Sequence, residues 1–300
     1  MGVYESIVSR TLIDKGWSGD VKYRALTGEG ETYLLRTAPL DRLERKRREF
    51  EKMQEVSALG IPMCQPIEFG TCGEGAYSIQ SWVDGEDAEQ KIMAMEPVDQ
   101  YRYGLDAGRI LAKIHSIPAS PDAPDWEKRF NAKIDRKITM YESCPLKYEK
   151  GDAFLTYLAE NRQLLRSRPQ SYQHGDYHIG NMMIDSDGVL TIIDFEKQDS
   201  GDPWEEFNRI VWSAQAAPAF ASGMVDGYFD DQVPIEFWRL LALYICSNTL
   251  GSLPWAIPFG EKEIQVMRNQ AKQVLGWYDD MKQVVPGWYC SSVSAGKKGL

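Results

Sequence analysis

The sequence predicts an α+β fold in two parts, a small strand-rich N-terminal part and a larger, mainly helical C-terminal part. Three observations predict it. Residues 1–81 read as strand, strand, strand, helix, strand, strand. From Trp82 onward the apolar spacing changes to the helical repeat. Within that helical stretch one short β hairpin stands alone, from Met182 to Ile193. We therefore divide the chain into a first lobe at 1–81, a second at 82–290, and a disordered tail at 291–300.

The elements follow in order. Ser9 to Ile13 and Tyr23 to Leu26 are strands around a polar turn at Lys15-Gly16-Trp17-Ser18-Gly19-Asp20. Gly28-Glu29-Gly30 turns the chain into a third strand, Thr32 to Arg36. A helix from about Asp41 to Leu59 takes Asp41 as its cap and stops at Gly60 and Pro62. Its apolar stripe is Leu43, Phe50, Met53 and Val56. Short strands follow at Pro66 to Phe69 and Ala76 to Gln80. Tyr101 to His115, Trp126 to Tyr141 and Phe154 to Leu165 carry helical spacing. Met182 to Ile184 and Val189 to Ile193 flank the turn Asp185-Ser186-Asp187-Gly188, and the rest from Trp204 is mostly helical. Leu240 to Phe259 has no charge, but polar residues and two prolines interrupt it, so it predicts a buried helix followed by a loop rather than a membrane span.

Composition narrows the function. With 34 basic and 44 acidic residues the net charge is −10, which argues against general nucleic-acid binding. Residues 82–300 hold 23 bases and 32 acids, a net of −9, so the excess lies in the second lobe and suits a cationic partner. Five cysteines with no C-x-x-C pair argue for reduced thiols in a cytoplasmic protein, without a disulfide framework.

The chemistry concentrates at His174-Gly175-Asp176-Tyr177-His178-Ile179-Gly180-Asn181. Asp176 and Asn181 lie in a loop that enters the hairpin, and Asp194 lies at the hairpin's far end in Ile192-Ile193-Asp194-Phe195. The hairpin should return Asp194 to Asn181, giving an amide oxygen and a carboxylate suited to Mg²⁺. Asp176 stands near them with no cation of its own in the sequence. Metal ligands plus one carboxylate to orient a hydroxyl are what phosphoryl transfer needs.

H-x-D-x-x-x-x-N followed by a hairpin and I-D-F resembles the catalytic and metal loops of the protein-kinase-like fold. With Gly175 where arginine is usual, and Gly201-Asp202-Pro203 downstream, it resembles the aminoglycoside phosphotransferase and choline kinase family, from about Ile13 to Trp277. The resemblance implies ATP or GTP as co-substrate, Mg²⁺ at Asn181 and Asp194, and Asp176 as the catalytic acceptor of a hydroxyl proton. It places Arg36 against the nucleotide phosphates, where lysine is usual. The partner acid should come from the following helix; among Glu44, Glu49, Glu51 and Glu55, Glu49 borders the inward stripe. Ser18 and Gly19 would cover the phosphates. The segment from Gln80 to Trp82 would hold the nucleobase at an inter-lobe hinge.

Other residues keep two readings. His174 and His178 fit local support of the loop, and His115 a structural place near a helix end. Asp202 fits a helix cap or a substrate contact. Glu205 and Glu206 fit first-turn charge or an acidic wall for a cationic acceptor. Trp204, Trp212, Trp238, Trp255 and Trp277 fit core positions for most of the five. The expected acceptor is a small hydroxylated molecule, first an aminoglycoside-type cation. Choline, a sugar or an amino alcohol is the alternative, and a non-catalytic nucleotide-binding module a further one. Protein phosphorylation is disfavoured because no A-P-E segment follows Asp194.

Overall fold

The computed structural model describes residues 2–14, 19–73 and 75–290. Its elements are, in chain order, α1 (Val3–Ser6), β1 (Ile7–Ile13), β2 (Val21–Thr27), β3 (Thr32–Pro39), α2 (Leu43–Ser57), β4 (Pro66–Cys72), β5 (Gly75–Ser81), β6 (Gly85–Asp87), α3 (Ala88–Met93) and α4 (Pro97–Ile114). Then come α5 (Trp126–Ser143), α6 (Asp152–Asn161), β7 (Ser171–Gln173), β8 (Met182–Asp185), β9 (Leu190–Ile192) and β10 (Asp199–Gly201). The chain ends with α7 (Ile210–Ala216), α8 (Pro218–Phe229), α9 (Ile235–Ala256) and α10 (Glu261–Trp277). Ser18 and the tail at 291–300, both assigned from the sequence, lie outside the described residues.

Two compact units form. The first comprises residues 1–91, 174–176 and 181–198; the second comprises 92–173, 177–180 and the chain from Asp199. The expected division after residue 81 differs from this, because the hairpin returns to the first unit.

In the first unit, β1-β2-β3-β5-β4 make an antiparallel sheet. Alternation sends Leu35 and Ile79 to one face, where they are fully buried with Ala25 and Tyr77. The unforeseen α1 adds Tyr4, whose ring stacks on Tyr77 at 4.0 Å. Arg36 follows Leu35 and so points the other way, yet it too is buried, at 3% exposure. The register sets Lys22 opposite Arg36, which aligns two cations on one face. α2 buries Phe50, Met53 and Val56. Asp41 does not cap it, because Leu40–Arg42 forms a short 3-10 turn and no side chain closes the helix start.

The hairpin β8–β9 pairs Met182 with Ile192, and β6 adds to its edge. Residues 62–64 clasp it from the other side. Ile192 donates its N–H to the Pro62 carbonyl at 3.0 Å, and Cys64 donates to the Ile192 carbonyl at 3.0 Å.

In the second unit, α9 is the central helix, flanked by α5, α6 and α10. It is long and apolar enough to cross a membrane by composition, with mean hydropathy 1.3, but most of it is buried. The expected loop after Cys246 is absent. The helix continues to Ala256 with Pro254 inside it, which forgoes one backbone hydrogen bond, to the Leu250 carbonyl. Of the five tryptophans, only Trp238 is buried among them, at 3% exposure, and Trp255 is exposed. Helical spacing alone does not tell a core face from a half-covered one.

α4 and α8 cross through glycines. A Cβ on Gly104 would meet the Phe220 carbonyl oxygen at 2.2 Å, and one on Gly223 would meet that of Tyr101 at 2.2 Å. The backbones approach so closely that no side chain fits between them.

Candidate active site

The loop before β8 is built around His174, which is fully buried. Its Nδ1 accepts the Asp176 N–H at 3.3 Å, so its Nε2 carries the proton and donates to the Ile193 carbonyl at 3.0 Å. Phe195 packs on the ring at 4.6 Å. His174 thus locks the loop to the end of the hairpin. Between His174 and Asp176, Gly175 has φ +87°, and a Cβ there would stand 1.8 Å from the Lys197 carbonyl oxygen. Only glycine fits, which explains the departure from arginine.

Asn181 closes the loop. Its side-chain N–H donates to the Asp176 carbonyl at 2.9 Å. Its own carbonyl accepts the Ile193 N–H at 3.1 Å. The residue after Ile193 is Asp194, so the hairpin does return Asp194 to Asn181. Asp194 holds a left-handed backbone, φ 66° and ψ 61°, a strained conformation for a non-glycine residue.

Asp194 is surrounded by cations. Arg36 Nη1 and Nη2 each stand 3.3 Å from its Oδ1, and Lys22 Nζ stands 3.8 Å from Oδ2. Burial pushes this carboxyl up, but Arg36 and Lys22 outweigh burial and hold it below its ordinary value.

The expected Arg36–Glu49 pair does not form. Arg36 binds Asp194 and Glu196, with Asp20 at 3.9 Å. Glu49 instead takes Arg45 at 2.7 Å and Lys46 at 2.8 Å, one turn before it on α2. Lys46 then joins the two groups, reaching Asp20 at 2.7 Å and Glu196 at 3.9 Å. Burial first, and then the Asp20 hydrogen bond, push Glu196 up to about 7 against the pull of Arg36. Burial also pushes Asp20 upward, but Glu196 and Lys46 together hold it low. A cavity of about 30 Å³ lies inside this network between Arg36, Lys46, Glu49 and Gln80, room for little more than a water.

Asp176 does have a cation. Lys197 Nζ stands 3.0 Å from its Oδ2. The sequence reading missed this pair because Lys197 lies beyond the hairpin, 21 residues away. A basic residue three places after the hairpin's aspartate was the available signal. Glu196, Asp20 and Lys46 were missed because their partners lie in distant stretches of the chain.

The nucleotide-side assignments fall in the first unit. Gly19 accepts Arg42 Nη1 at its carbonyl, at 3.2 Å. Gln80 is buried on β5, its amide oxygen 3.5 Å from Cys64 Sγ. Trp82 lies just past the end of β5, with the Arg24 guanidinium 5.4 Å from its ring centre.

The second unit holds the residues read as acceptor or support positions. Asp202 is fully buried and bonded to Arg168 at 2.7 and 3.0 Å and to Tyr244 Oη at 2.6 Å. It also accepts the Trp204 N–H at 3.0 Å, so it braces the turn after β10. Glu205 takes Lys133 at 2.9 Å, and burial, which would raise it, is outweighed by that lysine, leaving it below its ordinary value. Glu206 is buried, with the Tyr177 N–H at 3.4 Å and His115 Nε2 at 3.8 Å. Neither glutamate is a bare acidic wall. His178 Nδ1 accepts the Gly180 N–H at 3.1 Å, and His115 Nδ1 meets Tyr228 Oη at 2.9 Å.

Among the described residues no three His, Cys, Asp or Glu side chains gather around a common point. A divalent cation at Asn181 and Asp194 would therefore complete its shell with waters and phosphate oxygens. That sparse donor set fits Mg²⁺, which gives up its waters reluctantly.

A glycine-hinged loop, a returning hairpin aspartate and a buried arginine on β3 define a kinase-like phosphotransferase class. The chain belongs to the phosphotransferase enzyme family, whose sequence pattern matches residues 9–238. Solved structures agree on the fold. A thermostable mutant of aminoglycoside phosphotransferase APH(4)-Ia aligns at TM-score 0.64 and 15% identity, over 91% of this chain and 96% of that one. The amicoumacin kinase hAmiN, with AMP-PNP, Ca²⁺ and its acceptor, aligns at 0.65 and 13%, over 95% and 91%. A GDP complex of the IIIa-type aminoglycoside 2'-phosphotransferase aligns at 0.67 and 13%, over 91% and 93%. No curated protein matches the sequence.

Proposed function

We propose that the protein is a Mg²⁺-dependent kinase that moves the γ-phosphate of ATP or GTP to a hydroxyl of a small molecule. The observation that carries this is the grouping of Asp176, Asn181 and Asp194 on one clasped loop and hairpin, with Arg36 against Asp194. The neighbours bound to AMP-PNP and GDP support a purine nucleotide.

In this reading Asp176 orients the acceptor hydroxyl. The hydroxyl oxygen attacks the γ-phosphorus, the bond from that phosphorus to the bridging oxygen breaks, and Asp176 takes the proton. An ordinary Asp is a weak base, which suffices because the proton leaves late in a loose transition state. Lys197 fixes the carboxylate's direction. Asn181 and Asp194 would hold Mg²⁺, which would offset the charge of the phosphates. Lys22 and Arg36, now paired with Asp194, lie beside that position and stabilise phosphate charge. Gly19 covers the phosphates, and the chain from Gln80 to Trp82 holds the base.

Two acceptor readings follow. Neighbours with hygromycin B or amicoumacin favour an aminoglycoside-type cation. The pairing of Glu205 with Lys133 favours a metabolite instead, since it removes the acidic wall a polycation would need. The enzyme acts as a cytoplasmic protein in either case. A coupled nucleotide-turnover assay with ATP and GTP tests the proposal against aminoglycosides, macrolides, choline, sugars and hydroxy acids. We expect turnover with at least one acceptor; none with any acceptor or nucleotide would contradict it.

A further inference from the structure

The second unit holds a cavity of about 560 Å³, built by one face of α10 and by the turn at residues 147–150 between α5 and α6. That volume is in the range of sites that take a small organic molecule, about 300–1,000 Å³. Neither wall carries a residue of the catalytic loop or of the hairpin. The floor is apolar, made by Tyr148, Ala271 and Leu275, all buried. The rim is cationic. Lys147, Lys150, Arg268 and Lys272 stand there against two acids, Glu149 and Asp280, in a chain whose net charge is −10.

The walls are fixed by hydrogen bonds. Tyr148 donates its N–H to Tyr141 Oη at 2.9 Å and its hydroxyl to the Thr249 carbonyl at 3.1 Å, which ties the turn to α5 and α9. Lys147 Nζ donates to the Tyr141 and Glu142 carbonyls at 3.1 and 3.3 Å, and to that of Cys144, where α5 ends. Lys150 binds Asp280 at 2.7 Å, and Asp280 donates its N–H to the Leu275 carbonyl at 2.9 Å, so this pair straps the turn to the end of α10. The other two cations are not engaged in this way. Arg268 has only Glu261, at 3.9 Å, beyond hydrogen-bond reach, and Lys272 makes no ion pair among the described residues. Beside them Gln265 donates to Asn269 Oδ1 at 2.8 Å, which leaves the Asn269 amide as a further donor on the lining.

Gly276, on the same lining, is an independent observation. It lies inside α10, where glycine costs about 1 kcal/mol relative to alanine. Its φ is not positive, and a Cβ there would meet nothing within 4 Å, so neither backbone conformation nor packing requires a glycine. Its effect is to leave the cavity wall bare, which suits the close approach of a ligand.

We propose that this cavity binds a small organic anion, a carboxylate or phosphate on an aromatic or similarly apolar body. The anion pairs with Arg268 and Lys272, and the body lies on Tyr148 and Leu275 against Gly276. The site does not depend on the phosphotransferase reading.

The test is a calorimetric titration of the full chain with four probes: naphthyl phosphate, naphthylacetate, the neutral naphthylacetamide and inorganic phosphate. At least one of the two aromatic anions should bind, about tenfold or more tighter than either the amide or inorganic phosphate. Which of the two binds tells phosphate from carboxylate. Arg268→Gln combined with Lys272→Gln should lower that affinity about tenfold or more, the loss of charge-assisted contacts. Gly276→Leu should abolish binding by filling the cavity, while the melting temperature holds or rises, since leucine favours the helix.

Failure of both aromatic anions to bind overturns the proposal. So does an affinity that the double variant or Gly276→Leu leaves unchanged. An amide that binds as tightly as naphthylacetate would remove the role of charge, and inorganic phosphate that binds as tightly as naphthyl phosphate would remove that of the apolar floor; either result overturns it too.

Discussion

At the residue scale, the site is held by pairings that neighbouring sequence does not announce. Asp176 is aimed by Lys197, which is half exposed, so the pair contributes under about 1 kcal/mol to stability. Its value lies in direction. Lys197→Met should lower kcat by about tenfold or more, as expected for a loosened catalytic carboxylate. The melting temperature and the nucleotide KM should barely move, and steady-state kinetics beside a melting curve check both. Lys137 gives a second prediction. Burial first, and then the nearby Lys133, lower its pKa from 10.5 to about 7. Below about 7 it is charged in the folded and unfolded chain alike, and the fold bears the cost. From there to its ordinary value the unfolded chain binds more protons, so stability rises with pH. Lys137→Met should therefore stabilise the protein near pH 6, and the gain should shrink toward pH 9, as denaturant midpoints across about that range would show. The spacing of Asp176, Asn181 and Asp194 was legible because one loop and one hairpin carry all three. The Arg36 pairings were not, because Asp20, Asp194 and Glu196 reach it from three separate stretches of chain.

At the element scale, the strands were legible through alternation and turn residues, and α2 through its apolar stripe. What remained hidden depends on contacts. Glu49 faces inward as expected, but Lys46 lies three residues before it on the same helix and takes the carboxylate first. The crossing of α4 and α8 was hidden as well, since glycines inside a helix read as weak points. Here they let two backbones touch. Gly223→Ala would set its Cβ 2.2 Å from the Tyr101 carbonyl oxygen and 3.0 Å from Leu105 N. Neither backbone atom can swing aside as a side chain would, so the helices must separate, at a cost of about 2 kcal/mol or more. The melting temperature should fall by about 5 °C. An unchanged value would mean that the crossing is looser than described.

At the scale of the whole molecule, charge was the least reliable guide. The acidity of the second lobe pointed to a cationic acceptor, but a sum does not show which acids are already paired. Asp202, Glu205 and Glu206 each have partners. The division of the chain was also only half legible. Sequence order assigns the hairpin to the helical part, whereas its hydrogen bonds to residues 62–64 join it to the sheet-bearing unit. Asn181 and Asp194 thereby share a unit with Arg36, and a phosphate site needs that rigidity more than it needs sequence proximity. The central claim is that Asp176 receives the acceptor's proton. The most direct measurement is single-turnover phosphoryl transfer by Asp176→Asn, beside nucleotide binding by the same variant. The account predicts a fall of about a thousandfold in transfer, with nucleotide affinity within about twofold of wild type. Transfer at the wild-type rate would contradict it.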